Sequence, residues 1–136
     1  MAVKVVRGAS LEQAMRESGG RATAAEFTGV GGSKTWIGTV KMAPGAATGA
    51  HHHGRHEVAI CITAGRLEVR WGDRLEYSAD VGPGDFVYFH PYVPHQERNP
   101  SESAPAAYLA IRSDSERIAV GLDVAPVEPP ETMFAE

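Results

Sequence analysis

The chain has 136 residues, enough for one domain whose core needs no disulfide. Its formal charge of -4, with no Lys/Arg run, excludes the electrostatic footprint of a nucleic-acid or anionic-membrane binder. Cys61 is the only cysteine, so an internal disulfide is impossible; set between Ile60 and Ile62, it reads as a small buried hydrophobe.

In chain order, the first signal is a short helix. Ser10 can cap it, Gln13 stands at the capping-box position, and Gly19-Gly20 ends it after Glu17. Leu11, Ala14 and Met15 share one face, which predicts packing on the body of the protein. From Thr35 onward the chain reads as short strands broken by turns. Trp36 to Met42 is a strand closed by Pro44-Gly45, and Glu57 to Thr63 is an apolar run of strand length. Arg66 to Trp71 alternates, with Leu67, Val69 and Trp71 on one side. Gly72-Asp73 predicts a tight turn into a strand over Arg74 to Tyr77, making a hairpin. Phe86 to Phe89 follows the turn Gly82-Pro83-Gly84-Asp85, and Pro91 and Pro94 brace a corner before His95. Ala106 to Ile111 and Ile118 to Leu122 supply two more strands. Pro126, Pro129 and Pro130 keep the tail extended. Many short strands with Gly/Pro turns predict an all-β sandwich or barrel. The expected division is an N-terminal segment with the helix (1–34), the barrel (35–123) and a Pro-rich tail (124–136). No stretch reaches membrane-spanning length and the N-terminus lacks a long apolar run, so a soluble cytoplasmic protein is expected.

The chemistry lies in the histidines. His51 and His53 are two apart, so in a strand their imidazoles point to the same side. Neutral imidazole suits divalent transition metals such as Fe, Mn, Zn, Ni and Cu. Glu57 has the same parity if the backbone stays extended, and His95 follows a Pro-braced corner that can aim it inward. His52 turns away. The expected metal ligands are therefore His51, His53, Glu57 and His95.

These residues carry a family resemblance. Gly45, His51-x-His53, Glu57 and Gly65 resemble the first motif of the cupins. Gly84-Asp85-Phe86-Val87-Tyr88-Phe89-His90-Pro91-Tyr92-Val93-Pro94-His95, ending at Asn99, resembles the second. The two motifs span about forty per cent of the chain. The resemblance implies a double-stranded β-helix, a jelly-roll barrel, and one divalent metal on His51, His53, Glu57 and His95. It also implies a homodimer.

Two departures stand out. One residue more than the motif allows separates Glu57 from Gly65, so a bulge is required and the acidic position is open between Glu57 and His56. Tyr92 stands where a glycine is usual, which predicts a corner that needs no positive φ; His90 replaces a proline and is either near the site or on the surface.

A metal with open positions points to a metal-dependent oxygenase, such as a dioxygenase, or to a Lewis-acid isomerase or lyase. The substrate expected is a small organic acid or polar metabolite. The alternative is a non-catalytic module that senses or stores a small ligand or a metal. The N-terminal residues Val3 to Val6 and the tail have few evident partners within one barrel, so one or both are expected to lie across a neighbouring subunit.

Overall fold

The computed structural model describes residues 3, 5–10, 13, 23–26, 34–113 and 118–135. Among these, the only helical positions are 8–10 and 13. The helix expected over 10–17 otherwise lies outside the described residues. Ser10 is inside it rather than capping it, since its N–H donates to the Arg7 carbonyl at 3.1 Å. No helix among the described residues is long and apolar enough to cross a membrane.

Among the described residues, eleven strands make the body. They are β1 (Thr23–Glu26), β2 (Trp36–Met42), β3 (His51–His52), β4 (Val58–Ala64), β5 (Leu67–Trp71) and β6 (Tyr77–Val81). The rest are β7 (Phe86–Phe89), β8 (His95–Arg98), β9 (Ala106–Arg112), β10 (Val120–Gly121) and β11 (Glu131–Thr132). One sheet runs β1-β2-β9-β4-β7 and the other β10-β3-β8-β5-β6-β11. Every pairing is antiparallel except β11 on β6. Alternation buries one side of β2, β4, β8 and β9. Trp36, Met42, Val58, Ile60, Ile62 and Phe89 from the first sheet meet Leu67 and Val69 from the second in one core. Gly38 is required because the Trp36 ring lies where its Cβ would be.

Several expectations are corrected. The strand after Gly72 starts at Tyr77, not Arg74. Leu75 takes a left-handed φ of 48° and buries its side chain, while its carbonyl accepts from Arg70 Nε and Nη2, so the intervening chain is a turn. Cys61 faces the outer side of β4 and is half-buried, because the inward positions are Val58, Ile60 and Ile62. Tyr92 has φ 64°, so the corner does use the left-handed region without glycine. Its N–H donates to the Gly54 carbonyl at 2.9 Å, which holds that conformation.

The tail has partners in its own barrel. Glu131 N–H donates to the Glu76 carbonyl and Met133 N–H to the Ser78 carbonyl. The buried Arg70 guanidinium holds the Val127 carbonyl and the Glu128 carboxylate, each at 2.6 Å. A parallel strand in a Pro-rich tail carries no alternation signal, so the sequence pattern does not show it.

Candidate metal centre

Strand register brings the histidines together. His51 on β3 is the direct cross-strand partner of His95 on β8. Such partners in an antiparallel pair hold their side chains about 5 Å apart on one face. His53, two residues on from His51, returns to that face. The ligand nitrogens of His51, His53 and His95 all lie within 4.8 Å of one another.

Each ring is oriented by its other nitrogen. Nδ1 of His51 meets the Gly49 carbonyl at 2.7 Å, Nδ1 of His53 the Ile118 carbonyl at 2.9 Å, and Nδ1 of His95 the Val93 carbonyl at 3.0 Å. A carbonyl only accepts, so every Nδ1 carries the proton and every Nε2 keeps its lone pair. His95 Nε2 is buried with no hydrogen-bond partner. An orphaned buried nitrogen is costly unless something fills it. Three ligand nitrogens within 4.8 Å of one another, each ring fixed by a carbonyl, fit a divalent metal.

Electrostatics keep the His53 and His95 rings neutral. Burial pushes His53 down to about 3, against the pull of its Ile118 hydrogen bond, with Arg112 and the neighbouring histidines adding to the fall. Burial pushes His95 down to about 4, opposed by its hydrogen bond to Val93. The Phe89 ring stacks on His95 at 3.9 Å and 14°, closing its other face. The His51 side chain is 18% exposed, so approach to the cluster is from its side.

The expected fourth ligand, Glu57, is not brought to the cluster. Its carboxylate faces outward and accepts from the Tyr88 hydroxyl at 2.6 Å. The cause is a turn: Gly54 has φ 59° and His56 N–H donates to the His53 carbonyl, so the parity counted from His53 breaks before Glu57. The register shift that the extra residue requires lies farther on, between Ile62 and Ala64. His56 is buried, as alternation counted back from Gly65 implies, yet it does not join the three-histidine group. His52 turns aside, its Nδ1 accepting from Gly54 N–H at 3.0 Å. His90 lines a separate cavity of about 860 Å³ with Trp71, Phe86, Tyr88 and Phe134. Asn99 braces the barrel's end rather than the site, with its Nδ2 donating to the carbonyls of Met42, Ala43 and Ala104.

A different carboxylate does stand beside the histidines. Glu97, two residues after His95 on β8, is buried, with Oε1 3.5 Å from His95 Nε2 and Oε2 4.0 Å from His51 Nε2. Burial pushes its carboxyl up, offset in part by His51 and Thr48. Its parity with His95 was visible in the sequence. Tyr108 and Arg112 share one face of β9. Burial, together with the Glu97 charge, raises the Tyr108 hydroxyl, which stays a neutral donor. The Arg112 guanidinium lies over the Trp36 ring at 4.4 Å.

A family model described as a Cupin domain matches residues 38–112, more than half of the sequence. The chain belongs to the cupin family. Solved structures share its fold. A double-stranded β-helix protein from Klebsiella pneumoniae aligns at TM-score 0.68 and 13% identity, covering 89% of this chain and 98% of that one. A cupin 2 domain-containing protein from Halorhodospira halophila aligns at 0.62 and 25% identity, covering 76% and 69%. An oxalate oxidase in complex with glycolate aligns at 0.63 and 19% identity, covering 74% of this cupin and 53% of the oxidase. This cupin therefore spans little more than half the length of that enzyme. No curated protein matches it.

Proposed function

We propose that this cupin is a metal-dependent enzyme that holds one divalent transition metal on His51, His53 and His95 and acts on a small organic acid or polar metabolite. The observation that carries the reading is the set of three Nε2 lone pairs converging within 4.8 Å, each ring locked by a backbone carbonyl on its Nδ1. A metal bound there would supply Lewis-acid polarisation of a substrate oxygen, or the redox centre of a dioxygenase.

The chain's own residues do the rest. The three carbonyls hold the imidazoles in the ligating tautomer, and burial keeps His53 and His95 unprotonated. Tyr108 offers a neutral hydroxyl and Arg112 a positive field at the same interior, which suits an anionic or polar substrate. Phe89 keeps water from the His95 face. The partly exposed edge at His51 leaves the way in. An oxalate oxidase built on the same fold supports chemistry on a small acid, though that similarity is one of fold.

The test is turnover. Metal-loaded protein is incubated with a panel of small hydroxy and dicarboxylic acids, and oxygen consumption and proton NMR spectra are followed. Metal-dependent loss of one compound, absent in His95→Ala, is the expected result. Stoichiometric metal binding with no turnover across the panel would make this cupin a binding module instead.

A further inference from the structure

The three histidines leave the metal centre without the acidic ligand expected from Glu57, whose carboxylate is turned outward onto Tyr88. A carboxylate of the right kind enters from the other motif. Glu97 and His95 share one face of β8, and the Glu97 side chain is 5% exposed. Its two oxygens lie 3.5 Å from His95 Nε2 and 4.0 Å from His51 Nε2. With both Nδ1 atoms donating to carbonyls, those Nε2 atoms are lone-pair bearers. Neither distance is a hydrogen bond, and His95 Nε2 is buried without a hydrogen-bond partner. The arrangement is favourable once a cation lies between them. Donor atoms about 2.1 Å from a shared metal stand roughly 3 to 4.2 Å apart, and both separations fall in that range.

The carboxylate is also aimed. Thr48 Oγ1 donates to Glu97 Oε2 at 3.1 Å and accepts from the Glu97 N–H at 3.1 Å, while the Thr48 N–H donates to the Glu97 carbonyl at 2.9 Å. Oε2 is thereby tied and Oε1 is left toward the His95 nitrogen. Carboxylate ligands are commonly fixed by such an outer hydrogen bond.

We propose that Glu97, and not Glu57, is the acidic ligand of this centre, giving a site of three histidines and one glutamate in which the second motif supplies both His95 and the carboxylate. Thr48 is its positioning residue. This rests on the metal reading above.

Co(II) is the probe, because its visible spectrum reports the ligand set directly and needs no substrate. Wild type, Glu57→Gln, Glu97→Gln, Thr48→Val and His95→Ala are titrated by calorimetry and absorption, with circular dichroism to check folding. Wild type and Glu57→Gln are expected to bind one Co(II) with the same affinity and spectrum. Glu97→Gln is expected to bind at least tenfold more weakly with a changed spectrum, and Thr48→Val about tenfold more weakly. If His95→Ala abolishes binding while Glu97→Gln and Thr48→Val keep wild-type affinity and spectrum, Glu97 is not a ligand and the three-histidine reading stands. If Glu57→Gln alone alters the spectrum, the acid is Glu57. If Glu97→Gln does not fold, Thr48→Val decides the question. If wild type takes up no Co(II), the metal reading and this inference fall together.

Discussion

At the scale of single residues, tautomer is the decisive property. A histidine can ligate through either nitrogen, and here backbone carbonyls at Gly49, Ile118 and Val93 remove the choice. The lowered pKa values also have a stability consequence. His53 and His95 fold with pKa values of about 3 and 4, below the unfolded value of 6.5. Between those limits the unfolded chain binds more protons, so their contribution to stability is present above pH 6.5 and is lost as pH falls toward 4. Metal-free His95→Asn should therefore lose melting temperature less steeply than wild type from pH 6.5 to 4; parallel curves would contradict the burial argument. Phe89, stacked on His95 and buried, is the second residue at issue. Phe89→Ala should cost about 3 kcal/mol or more in denaturant unfolding.

His51, His53 and His95 were legible from parity and from the two motifs. Glu97 had the same kind of signal, since it shares the parity of His95, but nothing in its own sequence neighbourhood marked it as more than a strand residue. Glu57 lies off the histidine face because the chain turns between His53 and β4. Only the left-handed Gly54 and the His56 to His53 hydrogen bond show that the chain between the histidines and β4 is not extended.

Among elements, β3 and the tail matter most. β3 is two residues long, yet its pairing with β8 sets the whole site, because His51 opposite His95 fixes two of the three rings. The strands β2 and β7 were readable from alternation and turn chemistry to their observed ends. β11 was not, because prolines hide its pairing, and β6 was displaced by the left-handed Leu75. Arg70 ties these two irregular pieces together, donating to the carbonyls of Leu75 and Val127 and to Glu128. Arg70→Met would leave buried carbonyls without a donor, at about 1–3 kcal/mol each. It should lower the melting temperature and raise tail protease sensitivity; an unchanged melt would show that the tail adds nothing.

For the whole molecule, two sheets packed over one apolar core hold four short, polar side chains at fixed separations, which is the work of a scaffold rather than of loops. Large apolar side chains remain outside, with Phe86 75% and Phe134 83% exposed around the free side of β7. The homodimer implied by the family pattern is proposed to cover part of this surface. Sedimentation velocity at micromolar concentration should give a dimer, and a monomer there would sink it.

The most direct test of the central claim is elemental analysis of purified wild type, His51→Ala and His95→Ala. About one divalent transition metal is expected per wild-type chain, with most of it lost in each variant that still folds. Equal metal content in all three would contradict it.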